Sequence, residues 1–194
     1  MVTLGFETMK NIGRQGLART FASLGPITQL AFVPADFDSA LRFWVETMGA
    51  GPFFLLEHVK MEGLRYRGQP APDVDFSAAM GHWGDLQIEL IRQYNDAPSI
   101  YSDWRHQGRE GLHHVCVLTA DMAAARGLCA AAGAEVLQEG TLRGGAAEII
   151  YVDTLGGPGT MVEIMKPDPA ALAFFARIRA AAKDWNGDDP LRRP

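Results

Sequence analysis

Four polar residues stand in runs that are otherwise apolar and rich in strand formers. Gln29 opens Gln-Leu-Ala-Phe-Val, His114 opens His-Val-Cys-Val-Leu, Glu89 lies between Ile88 and Leu90, and Glu163 lies between Val162 and Ile164. Side chains alternate between the faces of a strand, so a carboxylate flanked by aliphatics points away from the face they bury, into the concavity of its sheet. Two carboxylates buried there without a cation would be costly, whereas a divalent ion held by two carboxylates, one imidazole and one amide oxygen is neutral. Gln29, Glu89, His114 and Glu163 are therefore read as metal ligands. The competing reading, glutamates in a wet groove and a hydrogen-bonded core histidine, would suit any one of them alone. Oxygen-rich ligation with one imidazole suits Mg, Mn, Co, Ni or Zn rather than copper. With two positions open, such an ion could bind vicinal oxygens of a substrate and stabilise a developing enolate, with Glu89 and Glu163 flanking it as proton acceptors.

The elements that must position these residues form a repeat with an offset of 85. Gln29 to Asp36 stands over His114 to Asp121, and each apolar run is followed by a helical pattern capped by its Asp. Phe37, Ala40, Leu41, Trp44 and Met48 mark the first helix, which stops at Gly49 to Gly51; Met122, Ala125, Leu128 and Cys129 mark the second, which stops at Gly133. Strands are expected at 53–59, 74–80 and 86–91, then at 135–139, 148–153 and 160–165. Gln29 and Glu89 are 60 residues apart, His114 and Glu163 are 49 apart, and the excess of 11 is assigned to a loop at 63–74.

The expected fold class is α+β: two tandem βαβββ modules forming a concave, barrel-like sheet with helices outside. Residues 1–25 read as an N-terminal extension and 26–166 as one domain, with modules 26–95 and 111–166 and a linker 96–110 containing a short helix at 99–107. Asp168-Pro169 starts a C-terminal helix within 167–185, with a stripe of Leu172, Phe175, Ile178, Ala182 and Trp185 that packs on the core or pairs two copies in a homodimer. The polar tail 186–194 is expected to fray.

Composition bounds the partners. Eighteen Lys and Arg against 23 Asp and Glu give a net charge of −5 without a basic run, which argues against nucleic acid. No apolar window is long enough for a membrane span, and Glu7, Lys10, Arg14 and Arg19 interrupt any signal-like core, so a cytoplasmic protein with no membrane partner is expected. Cys116 and Cys129 read as small buried thiols. Alternation puts His113 on the face opposite His114, as a structural or surface residue, and His58, His82 and His106 lack repeat partners. Phe54, Trp83, Tyr94, Tyr101 and Trp104 lie near the bowl rim, where core or surface roles are the default. Arg65, Tyr66 and Arg67 fall in the extra loop, where solvated charge is the default and an acidic substrate the alternative.

The paired modules, Gly-Leu-His-His-Val-Cys-Val-Leu-Thr-Ala-Asp at 111–121, and the closing strands Leu-Gln-Ile-Glu-Leu-Ile and Thr-Met-Val-Glu-Ile-Met resemble the vicinal oxygen chelate superfamily, which includes glyoxalases, bleomycin-resistance proteins and dioxygenases. The resemblance covers residues 26–166. It implies that Gln29, Glu89, His114 and Glu163 stand at the four ligand positions, a set like that of zinc glyoxalase I, while His113-His114 and the segment from Pro98 to Gly111 look more like methylmalonyl-CoA epimerase. It further implies a divalent metal cofactor, a small-molecule carbonyl substrate and a metal-dependent lyase, isomerase or epimerase that transfers a proton alpha to a carbonyl through a chelated enolate. Glu163 is the first candidate for the base and Glu89 the candidate on the other face. The alternatives are a metal-free binding or resistance protein of the same fold and an extradiol-type dioxygenase, which would need two histidines and one carboxylate on iron.

Overall fold

A computed structural model describes residues 13–153 and 161–194; residues 1–12 of the expected extension and Thr160 of the expected last strand lie outside them. The described strands are β1 (Ile27–Val33), β2 (Phe53–Val59), β3 (Met61–Tyr66), β4 (Gln69–Pro70), β5 (Phe76–Trp83), β6 (Leu86–Gln93), β7 (Gly111–Leu118), β8 (Glu135–Leu142), β9 (Ala147–Asp153), β10 (Met161–Pro167) and β11 (Leu191–Arg192). The helices are α1 (Gly13–Leu17), α2 (Phe37–Arg42), α3 (Ile100–His106), α4 (Met122–Ala132) and α5 (Pro169–Ala182).

These strands form one mixed sheet in the order β11-β2-β5-β6-β1-β7-β10-β9-β8-β3-β4. The two βαβββ units meet where β1 pairs antiparallel with β7. Each closing strand runs parallel beside its module's first strand, β6 beside β1 and β10 beside β7. β2 and β3 belong to opposite ends of this order, yet Lys60 alone separates them in sequence. The sheet must therefore curl until its ends approach, giving a concave, unclosed wrap.

Alternation sorts the side chains. Leu30, Phe32, Ile88 and Leu90 pack outward with Phe37 and Trp44, while Val117, Ile150 and Ile164 pack outward with Met122, Ala125 and Cys129 of α4. The helix caps repeat as well: Asp36 accepts from the Ser39 amide at 2.9 Å and Asp121 from the Ala124 amide at 3.0 Å. The first helix keeps α geometry only to Arg42 and widens into a π turn over Phe43–Thr47.

Three features differ from the sequence expectation: the assigned loop, the buried stripe of α5 and the tail. The segment assigned to a loop contains β3 and β4, and β3 crosses to pair with β8 of the other module. Arg65 and Tyr66 are thus strand residues, with the Tyr66 hydroxyl bonded to Asp103 of the α3 segment and Arg67 Nε donating to that hydroxyl at 2.9 Å. The module helices α2 and α4 pack outside as expected, and the two helices that are not part of the modules, α3 and α5, lie on the concave side. Ile100, Tyr101 and Trp104 of α3 join the inner core, and Ile178 of α5 packs with Phe54 and Met80.

In α5 the buried stripe is Phe174, Phe175 and Ile178, while Leu172 is exposed and Trp185 lies beyond the helix. The tail is not frayed. Leu191 and Arg192 pair with Phe53 and Phe54, Arg193 holds Glu57 at 2.8 Å, and Trp185 packs so close to Gly51 that a Cβ there would lie 2.7 Å from its ring. No described helix is long and apolar enough to cross a membrane.

Candidate functional site

The four central strands, β6-β1-β7-β10, carry one candidate residue each. Ala31 stands opposite both Glu89 and His114, while Cys116 stands opposite both Gln29 and Glu163, so all four share the inner face. Glu89, His114 and Glu163 each offer a ligand atom within 4.8 Å of the others. His114 Nε2 is 3.2 Å from Glu163 Oε2 and 3.6 Å from Glu89 Oε2, with His114 fully buried, Glu163 2% exposed and Glu89 13% exposed. Gln29 lines the same cavity as the two glutamates. Its Nε2 donates to Gln87 Oε1 at 2.7 Å, which leaves Gln29 Oε1 buried without a partner.

His113 is where alternation misleads. Phe32 pairs with Leu112 and Ala31 with His114, so His113 is an extra residue in β7, a bulge that turns both histidines inward. His113 is fully buried rather than at the surface, with its ring against Tyr101 and Trp104. Its Nε2 lies 3.2 Å from the Ile100 carbonyl, which can only accept, so Nε2 carries the proton. Its Nδ1 is then an acceptor, 2.9 Å from His114 Nδ1, and fixes the proton of His114 there. His114 Nε2 is left facing the two carboxylates, carrying a proton in the metal-free cluster and available as a ligating lone pair once an ion displaces that proton.

The Ile100 carbonyl is itself fixed. Ser99 and Ser102 form a capping box at the start of α3, Gln93 accepts the Ser99 hydroxyl at 2.5 Å, and Gln138 accepts the Ile100 amide at 3.2 Å. Burial and the neighbouring His114 push the His113 pKa well down, which keeps it neutral in this role.

Burial opposes charging His114, but Glu163 and Glu89 outweigh it and raise its pKa to about 9. Burial also raises the Glu89 carboxyl, with a further push from Glu163 and an opposing one from His114. Alone, the cluster neutralises itself with protons. A divalent ion would replace those protons, and the donor set fits one: His114 Nε2, Glu163 Oε2 and Gln29 Oε1 are all buried without a well-directed hydrogen bond. Gln29, Glu89, His114 and Glu163 could hold it, with a hard-to-borderline set of three oxygen donors and one nitrogen.

Above the cluster lies a cavity of about 330 Å³ reached by Tyr101 and Tyr151. Sequence reading gave Tyr101 only a default core or surface role and missed Tyr151. The available signal was a phenol in the apolar run Ile-Ile-Tyr-Val, since a buried tyrosine needs a partner for its hydroxyl. The two hydroxyls are 3.0 Å apart, and burial holds both pKa values well up, so both stay neutral phenols. Cys116 is likewise a buried neutral thiol, and Cys129 is buried on the inward side of α4.

The remaining residues singled out from the sequence stand apart from the three. His58 pairs with Asp75 and stacks on Tyr94, His106 is exposed, and His82 lines a neighbouring cavity. Trp83 is half-exposed against Trp44, Phe54 packs on Phe174, and Trp104 packs on His113.

Residues 28–152 match the family model described as Glyoxalase/Bleomycin resistance protein/Dioxygenase superfamily. Among solved structures, hypothetical protein BH1468 from Bacillus halodurans aligns with a TM-score of 0.54 at 16% identity, covering 74% of this chain and 94% of its own. Methylmalonyl-CoA epimerase from Mycobacterium tuberculosis aligns at 0.52 and 18%, covering 76% and 91%. A variant of the Streptomyces coelicolor methylmalonyl-CoA epimerase, in complex with 2-nitronate-propionyl-CoA, aligns at 0.51 and 19%, covering 74% and 94%. At such identities the likeness is one of fold. Among curated proteins none matches the chain.

Proposed function

The chain belongs to the glyoxalase/bleomycin resistance protein/dioxygenase superfamily, and from that premise we propose that it is a metal-dependent isomerase, epimerase or lyase that moves a proton alpha to a carbonyl. The observation that carries this reading is the convergence of Glu89, His114 and Glu163 at a cavity, with buried donor atoms that lack hydrogen-bond partners. A divalent cation held by these three and Gln29 would supply a Lewis acid for the carbonyl oxygen.

Glu163 takes the alpha proton. Its neighbours Val162 and Ile164 are packed outward with the α4 cluster, which holds the carboxylate in the cavity floor. Glu89 returns or accepts a proton from the other side of His114. Tyr101 and Tyr151 offer a neutral donor to a substrate oxygen, and the apolar walls exclude water. Epimerisation, the activity in the names of two of the aligned proteins, is one reaction of this class. The extradiol alternative is disfavoured because Gln29 stands where that chemistry would want a second histidine.

The test is solvent exchange. A panel of acyl thioesters and alpha-hydroxy ketones is incubated in heavy water with wild type and Glu163→Gln. Wild type is expected to place deuterium on the alpha carbon of its substrate, and the variant to keep its metal while exchange falls by ~10²- to 10⁴-fold. Exchange at the wild-type rate in Glu163→Gln would reduce Glu163 to a ligand and remove the proton-transfer reading.

A further inference from the structure

Among the described residues, two neighbouring cavities on the concave side differ in kind. One of about 520 Å³ is lined by His82, Asp85, Gln87 and Arg179 among others, with Asp85 and Arg179 bonded to each other. The other, of about 330 Å³, is lined by Glu89 and Glu163, and Gln29 lines both. Its walls include Leu56, Met61, Phe76, Met80, Phe174 and Phe175, and among the described residues no Lys or Arg lines it. Met61 comes from β3 and the two phenylalanines from α5, both additions to the βαβββ repeat. The chamber is thus closed with hydrocarbon by the parts of the chain that the repeat does not require.

An anionic or nucleotide-bearing ligand would lose its hydration on entry and would find no Lys or Arg in the described lining to replace it. A hydrocarbon body would gain by burial, in a volume near the lower end for small-molecule sites. The Tyr101 and Tyr151 hydroxyls use one proton between them, which leaves the other free to donate to a ligand oxygen. We infer that this cavity takes an uncharged, mainly apolar carbonyl or hydroxy-carbonyl compound, a substrate class that rests on the proposed metal site and narrows it.

The probes are two hydroxamates of equal length, which present vicinal oxygens: N-hydroxy-4-butylbenzamide and its analogue ending in a carboxylate. Both are titrated calorimetrically into zinc-supplemented full-length protein. The butyl probe is expected to bind at least about tenfold more tightly. Ala170→Lys, at an exposed α5 position that lines the cavity, should recover about tenfold for the carboxylate probe. Equal or tighter binding of the carboxylate probe to wild type would overturn the inference. Repeating both titrations after chelation separates the two readings. Unchanged affinities with the butyl preference intact would remove the metal site and leave the apolar class standing, whereas a preference lost with and without zinc would remove the apolar class.

Discussion

The two halves of the site share a backbone plan and differ in what supports it. Each half carries an extra strand residue immediately before its candidate ligand: Thr28 before Gln29, and His113 before His114. Thr28 sends its hydroxyl to the Cys116 carbonyl at 3.2 Å, whereas His113 fixes the proton of His114 and is itself fixed by Ile100. The carboxylates differ too. Glu163 is 2% exposed at 3.2 Å from His114, while Glu89 is 13% exposed at 3.6 Å with its pKa raised by burial. A repeat therefore dictates where side chains stand, and the groups behind them decide which half is the stiffer. The second half is the anchor of this site, and the first completes it.

The largest expected effect tests whether the carboxylates are equivalent. Glu163→Gln should lower turnover by ~10²- to 10⁴-fold, and Glu89→Gln should cost less, because the second half holds its carboxylate more firmly. Equal losses in single-turnover rates would make the halves catalytically alike. Next come the bulge residues. His113→Phe keeps a ring in place but removes the acceptor for His114, and should weaken divalent-ion binding by about 10- to 100-fold. Thr28→Ala should leave that affinity unchanged and cost about 1 kcal/mol of stability at most. Calorimetric titration with zinc reads both, and matched effects would erase the distinction.

The remaining effect concerns pH. Without metal, the folded His114 pKa of about 9 lies above its unfolded value of about 6.5. The stability it contributes is complete below the unfolded value and is lost as pH rises through the folded one. Chelated protein should thus lose up to about 3 kcal/mol between roughly pH 6.5 and 9. Denaturant titrations across that range check the sign, and a stability that climbs would contradict it.

The repeat, both capping aspartates and the four inward-facing residues could be read from sequence because each rests on local alternation or spacing. β3 could not, since Gly63 breaks its apolar pattern and its partner β8 lies in the other module. Residues 191–192 look like tail until Phe53 and Phe54 supply a strand to pair with. His113 was misplaced because period-2 alternation cannot see a bulge, and Tyr151 was missed because nothing local marks the phenol facing it from α3.

Metal content tests the central claim most directly. Wild type purified without chelators, or reconstituted with a divalent ion and desalted, should retain about one equivalent by elemental analysis. The His114→Ala, Glu163→Gln double variant should retain none while folding normally by circular dichroism. Wild type that holds no ion after reconstitution, or a double variant that holds as much as wild type, would contradict the assignment of Glu89, His114 and Glu163 as a metal centre.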